Sequence, residues 1–89
     1  MARMMVVFEV YVAPGSDPET LLSAETQRET KAKIMTPEQA QKAGFQGLPE
    51  PPPGQVMRLI AVGRADAKWV QRALEVNEAV GQFRRHEVG

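Results

Sequence analysis

Two strongly apolar segments, residues 4–13 and 55–63, constrain this chain more than any other feature of its sequence. β-branched and aromatic residues dominate them, which predicts strands, and both are far shorter than the roughly 20 residues of a membrane-spanning helix. Each segment is apolar on both alternating faces and carries one charged residue, Glu9 or Arg58. Because a strand with two apolar faces is covered on both sides, we predict that both are central strands of one sheet.

Two polar segments have the pattern of edge strands. Over residues 29–35, Thr30, Ala32 and Ile34 alternate with charged side chains, as in a half-exposed strand whose lysines oppose further pairing. Residues 82–88 contain only two apolar side chains and are predicted to form a polar final strand. The three consecutive, potentially cationic side chains of that segment, Arg84, Arg85 and His86, are interpreted first as protection of a sheet edge.

Helix start signals precede two short helical segments. An N-cap at Ser16 or Asp17, followed by Pro18, predicts a helix that begins near Pro18. The motif at 36–39, Thr-Pro-Glu-Gln, combines a capping box with a proline at the first helical position. It predicts a helix over residues 37–43.

A longer helix is predicted over residues 67–80, capped by Asp66 and ended by Gly81. Its apolar residues recur at helical spacing, which predicts one stripe facing the core. The stripe consists of Trp69, Val70, Ala73, Leu74, Val76 and Val80. Trp69 is accordingly expected in the core.

Between the second and third strands lies a proline-rich loop at about 44–54. Its segment 47–54 contains four prolines and is predicted to run as polyproline II, because proline fits neither a helix interior nor a strand ladder. Phe45 is expected to fix the loop to the core. Whether the loop is a spacer or a recognition segment stays open.

These elements predict an α+β fold of one small domain over residues 1–89. Two apolar strands interleaved with two polar ones fit a ferredoxin-like split β-α-β arrangement, a four-stranded antiparallel sheet with helices on one face. The alternative is a three-stranded sheet with a longer first helix over residues 18–33.

Composition excludes several classes of function. The chain has 11 basic and 11 acidic residues, so no net positive field attracts nucleic acid or anionic lipid. It has no cysteine and one histidine, which leaves no thiol chemistry and no multi-histidine metal site within one chain. We expect no catalytic residue, no cofactor, no metal and no membrane association, and a cytoplasmic location.

The leading hypothesis is a non-catalytic interaction or regulatory module that acts as a homodimer or an assembly subunit. If helices cover one face of the sheet, apolar residues of the central strands remain on the other and need a cover. The predicted interface residues are Val7, Tyr11, Val56, Ile60 and Val62. Another protein is a further possible partner.

Two other functions remain open. A pocket on the uncovered sheet face could bind a small anionic ligand, in an enzyme or a binding domain, through Arg58, Arg84 and His86. The same face could bind single-stranded RNA if Tyr11 or Phe83 offered a ring for stacking. The paired aromatic motif of such platforms is absent, so nucleic acid is the less favoured partner.

Overall fold

A four-stranded antiparallel sheet organises the computed structural model, which describes residues 5–45, 47 and 50–88. In chain order the elements are β1 (Met5–Val12), α1 (Ala24–Thr30), β2 (Lys33–Met35), α2 (Pro37–Lys42), β3 (Met57–Gly63), α3 (Ala67–Glu75) and β4 (Val80–Val88). The strand order is β2-β3-β1-β4, with β1 and β3 in the centre. The predicted ferredoxin-like arrangement is confirmed, including the two polar edge strands.

The larger hydrophobic core lies between the sheet, α3 and the segments that flank α1. Phe8 on β1 and Ile60 on β3 are register partners and both are fully buried. Val70 and Leu74 of α3 pack against them, and Leu21 completes the layer from the segment before α1. α3, with α1 packed against it, lies on this face of the sheet, whereas α2 lies on the other face, so the prediction that helices cover one face only is wrong for α2.

The opposite face of the sheet has a cover of its own. Ala40 of α2 and Phe45 pack over Val7, Leu59 and Ala61 in a second, smaller core. The capping box that predicts α2 is present, because the Thr36 hydroxyl accepts from the Gln39 backbone and the Gln39 side chain accepts from the Thr36 backbone. Phe45 fixes the start of the loop to this core, as expected.

The first helical region differs from both sequence-based expectations. Asp17 caps only a single 3-10 turn over Pro18–Thr20, and a second N-cap, Ser23, begins α1. The predicted strand over 29–35 is therefore wrong in its first half, because the helix capped at Ser23 continues to Thr30. The alternative of one continuous helix is wrong as well.

The segment that follows α1 reverses direction sharply. Lys31 has a φ of 57°, a left-handed conformation that ends the helix. The Thr30 hydroxyl donates to the Thr26 carbonyl and accepts from the Ala32 backbone, so it satisfies backbone groups at the turn. Only three residues then remain for β2.

The third helix ends earlier than predicted because Asn77 closes it. Its side-chain amide donates to the carbonyls of Thr20 and Leu21 at 3.0 Å, and its Oδ1 accepts from the Ala79 backbone at 2.9 Å. Asp66 precedes α3 but its side chain makes no capping hydrogen bond. Together the bonds of Asn77 end the helix and turn the chain into β4.

Gly81 is a strand residue and not the predicted helix stop. It lies where the register of β1 and β4 shifts between Tyr11 and Val12. A Cβ at Gly81 would come within 3.3 Å of the Tyr11 carbonyl oxygen, so the close approach of the two strands favours glycine.

Trp69 is the clearest error of the sequence-based helix interpretation. Its side chain is 51% exposed, whereas Ala67, Val70 and Leu74 are the buried residues of α3. Those three positions are spaced by three and four residues and form a narrow stripe, which is all that a helix of this length turns toward the core. Trp69 lies beside that stripe.

The exposure of Trp69 can be checked directly, since it is the chain's one tryptophan. We expect its fluorescence in the folded protein to be readily quenched by iodide and less so by caesium, because cationic groups of Lys68 and Arg72 lie 5.1 and 5.7 Å from the ring. If neither ion quenched the fluorescence until urea unfolded the chain, the Trp69 ring would lie in the core, contrary to the structure.

The proline-rich loop ends in a tight turn before β3. The Gln55 backbone donates to the Pro52 carbonyl at 3.1 Å, and Gly54 has a φ of 82°. The two central residues of this turn are Pro53 and Gly54, and proline followed by glycine at these positions is typical of a type II turn. The polyproline II prediction includes Leu48 and Pro49, which lie outside the described residues.

Candidate functional site

A buried carboxylate lies on the α2 side of the sheet, in the middle of β1. Glu9 is 1% exposed, and every other residue of β1 is uncharged. Glu9 Oε2 accepts a hydrogen bond from the Tyr11 hydroxyl, and Glu9 Oε1 lies 3.0 Å from His86 Nε2 on β4. We call these three residues the Glu9 cluster.

The strands position this cluster without any loop. Glu9 and Tyr11 are two residues apart on β1 and therefore share a face. His86 is the register partner of Val7 on the adjacent strand, so its ring reaches Glu9 diagonally. Burial of a carboxylate is costly unless both oxygens are hydrogen-bonded, and here each oxygen has a partner.

The Glu9 cluster changes the pKa of the Tyr11 hydroxyl. The hydrogen bond to Glu9, burial, and the negative charge of Glu9 raise the pKa of Tyr11 above its usual value of about 10, while Arg84 acts in the opposite direction. The folded chain therefore holds the phenol proton more tightly than the unfolded chain does.

This raised pKa predicts a loss of stability at alkaline pH. The contribution is fully present below about pH 10, where unfolded tyrosine is protonated, and is lost as pH rises through the higher folded pKa. The chain has one tyrosine, so tyrosinate absorbance follows Tyr11 alone. We expect its titration midpoint to fall when urea unfolds the protein, and Tyr11→Phe to lose less stability above pH 10. Equal midpoints in both states would contradict the role of Glu9.

The structure brings together two of the three residues predicted to bind an anion. Arg84 is the register partner of Glu9, and it shares the α2 side of the sheet with His86. Arg58 pairs with Val10 and lies on the other face, where its Nη1 donates to the Met57 carbonyl at 2.9 Å. The predicted group of three is therefore divided between two faces, and Arg84 with His86 remains.

Sequence reasoning missed Glu9 as a member of this site. The available signal was a single acidic residue inside an otherwise apolar strand. Such a residue has to find partners on neighbouring strands, and the cross-strand register that supplies His86 is not readable from one sequence.

The five predicted interface residues do not form one exposed surface. Val7 and Tyr11 are on the α2 side, whereas Ile60 and Val62 face α1 and α3, and all four are buried within the chain. Only Val56 is exposed, at 44%. The reason is the second core, since α2 and Phe45 already cover much of the sheet face that was expected to be open.

The aromatic residues considered for RNA binding are not available for stacking. Tyr11 is buried and donates to Glu9. Phe83 belongs to the larger core, with its ring edge-to-face on Phe8 at a centroid distance of 5.9 Å. Neither ring lies open beside Arg84 and His86.

A second candidate surface lies on α3. Trp69, Arg72 and Val76 recur at spacings of three and four residues along the helix and the residue after it, and Val76 is 83% exposed. We call these three residues the α3 surface. The flanking Lys68 also contacts the Trp69 ring. Beside it is a cleft of about 440 Å³, lined by Thr26, Glu29, Thr30, Asp66 and Trp69.

The described residues contain few arrangements that could support chemistry. Within residues 5–45, 47 and 50–88, no three His, Cys, Asp or Glu side chains are placed to hold a metal ion. No helix in this part of the chain is sufficiently long and apolar to span a bilayer. The Glu9 cluster pairs a histidine with a carboxylate, but neither a serine nor a cysteine accompanies them in the cluster.

Comparison with known proteins identifies a structural neighbour. No protein-family model matches the chain, and no curated protein matches it. Among solved structures it is similar to the P2 domain of the chemotaxis kinase CheA, described in complex with the response regulator CheY, from Thermotoga maritima. The TM-score is 0.53 at 15% sequence identity, over 98% of this chain and 100% of that one. At this identity the likeness supports the ferredoxin-like fold.

Proposed function

We propose that this chain is a small protein-interaction module that binds a partner through the α3 surface. The observation that carries the proposal is the half-exposed side chain of Trp69. Tryptophan and arginine are the residue types most enriched among those that dominate interface energies. Here both lie on one helix face next to an exposed valine.

The structural neighbour supports a docking role for a fold of this kind. The P2 domain is described in a complex with another protein, CheY. Shared topology does not fix function, so the proposal depends on the surface residues of this chain. The sheet itself serves as a rigid support, because its buried residues pack against helices on both faces.

The chemistry of the α3 surface defines the kind of partner. Lys68 Nζ lies 5.1 Å and Arg72 Cζ 5.7 Å from the Trp69 ring centroid. A complementary protein surface has an apolar pocket that receives the indole, with carboxylates at the rim facing the two cations. The partner is therefore a protein with an acidic, partly apolar patch.

Self-association is a finer proposal about the same module. The apolar sheet residues that motivated a homodimer are buried within the chain, so a dimer would have to use the α3 surface or a strand edge. Sedimentation of wild-type protein and of Val76→Glu distinguishes these cases. A dimer dissociated by this substitution would make the partner of the α3 surface a second copy of the chain.

Parallel affinity capture tests the proposal. Wild type, Trp69→Ala, Val76→Glu and the control Lys42→Ala, whose exposed side chain is on α2, are immobilised at equal load and exposed to extract of the producing cells. We expect wild type and the Lys42→Ala control to retain one and the same protein. The amount of that protein retained by Trp69→Ala should be at least tenfold lower, because a dominant interface residue is lost.

A measurement of stability keeps this test decisive. Urea unfolding should show that Val76→Glu changes stability by less than about 1 kcal/mol, because Val76 is on the surface. If all four forms retain the same proteins in the same amounts, the α3 surface is not a docking site and the proposal fails.

A further inference from the structure

The outer edge of β4 is a long strand edge without a neighbour. In the described part of the chain, β4 is the last strand on its side of the sheet and extends over Val80–Val88. Alternate residues of such a strand direct backbone N–H and C=O groups away from the sheet. The other edge, β2, offers only Lys33–Met35. An added strand would therefore find its backbone partners along β4.

One face of this edge carries Arg84 and His86. Arg84 is exposed, and its guanidinium makes no hydrogen bond or ion pair with the other described residues, even though Glu9 is its register partner. His86 Nε2 faces Glu9, which leaves Nδ1 on the opposite side of the ring. The hydrogen bonds of the two Glu9 oxygens go to Tyr11 and His86.

The other face of β4 is already occupied. Arg85 Nη1 donates to Gln71 Oε1 on α3 at 3.0 Å, and Arg85 Nη2 lies 3.3 Å from Glu87 Oε1. The two faces of the strand therefore differ, because Arg85 has hydrogen-bond partners among the described residues and Arg84 has none. Side chains that repeat every second residue along an added strand would all meet the face of Arg84 and His86.

From this arrangement we infer that an extended acidic segment of a partner protein adds to the outer edge of β4. Backbone hydrogen bonds to β4 hold the added strand in place. An aspartate or glutamate of that strand, facing Arg84 and His86, makes the binding specific for an acidic segment. This surface is separate from the α3 surface, so either proposal can fail without the other.

Two other occupants fit the edge less well. Single-stranded RNA requires an open ring for base stacking, and Tyr11 and Phe83 are buried or packed in the core. A second copy of the chain would bring its own row of Arg84 and Arg85 to an edge that carries the same residues, and like charges across a strand pair are unfavourable.

Synthetic peptides test the inference with purified protein. The probe is a capped peptide of alternating glutamate and threonine, compared with one that has lysine for glutamate and with free glutamate. Binding is measured by NMR titration of the β4 backbone amides. We expect only the acidic peptide to bind, and Arg84→Gln to weaken it about tenfold, the loss of one charge-assisted hydrogen bond. The matched control Arg85→Gln should change the dissociation constant by less than about threefold, because Arg85 is already engaged.

Backbone pairing requires a separate test. The backbone N–H groups of alternate residues in an added strand point toward β4, and those of the other residues point away from it. We therefore expect N-methylation of the first set to abolish peptide binding and N-methylation of the second set to leave it intact. Equal weakening by Arg84→Gln and Arg85→Gln would overturn the inference. So would equal binding of free glutamate, of both methylated peptides or of the lysine peptide, or self-association of the chain through β4. An aggregation-prone Arg84→Gln with unchanged peptide affinity would identify Arg84 as an edge guard only.

Discussion

Replacement of Val7 by arginine is expected to unfold the protein. Val7 is fully buried beneath α2 and Phe45, in the smaller of the two cores. An unpaired guanidinium at this position is desolvated and also overfills the packing. We expect a loss of more than about 4 kcal/mol, much of the 5–15 kcal/mol that typically stabilises a domain. Circular dichroism and urea titration measure the effect.

The same substitution at Val56 is the matched control. Val56 is 44% exposed, so Val56→Arg is expected to cost less than about 1 kcal/mol. The two variants also separate two views of the sheet. If the face of Val7 were an open dimer interface, Val7→Arg would give a folded monomer. A cooperative, near-native unfolding transition for Val7→Arg would therefore contradict the covered face described above.

The second large effect is expected for Phe8→Ala in the larger core. Phe8 is fully buried between the sheet and α3, and its ring packs edge-to-face on Phe83. Truncation leaves a cavity that the strand cannot fill, and such changes cost about 3–5 kcal/mol. Urea or thermal unfolding followed by circular dichroism gives the difference.

Phe83→Ala serves as its control. Phe83 belongs to the edge strand and is only partly buried. We therefore expect Phe83→Ala to lower the free energy of unfolding by about half as much as Phe8→Ala, or less. If both substitutions cost the same, Phe8 does not hold the central position that the structure gives it. Together the Val7 and Phe8 variants test one core on each face of the sheet.

The fold was predictable because its strongest signals are local. A strand that is largely apolar on both faces indicates its own central position, and the capping box at Thr36 and Gln39 specifies a helix start within four residues. Alternation between polar and apolar strands then leaves few topologies. These features suffice to place β1 and β3 at the centre of the sheet and β2 and β4 at its edges.

The errors in the predicted helices lie where tertiary contacts determine the end of a helix or its buried face. Asn77 ends α3 by bonding to carbonyls more than 50 residues earlier in the chain, which no local pattern indicates. Trp69 matches an apolar stripe by spacing, but the short helix turns only Ala67, Val70 and Leu74 inward. Hydrophobic periodicity locates a helix face and leaves its exact boundaries to packing.

The candidate sites depended even more on pairing between strands. Arg84 and His86 were predicted on one face because alternation along a strand is local. The contact of His86 with Glu9 joins residues 77 positions apart, and the separation of Arg58 from them depends on the register of β3. Register is fixed by the whole sheet, so one sequence did not specify it.

Site-specific photo-crosslinking tests the interaction function most directly. A photoreactive amino acid replaces Val76 on the α3 surface or, as a control, the exposed Gln41 on α2 across the sheet. After irradiation of the producing cells, we expect one discrete protein adduct from position 76, none of that mass from position 41, and loss of the adduct when Trp69→Ala is added. Adducts from position 41 alone, or an adduct at position 76 that persists without Trp69, would contradict docking through the α3 surface.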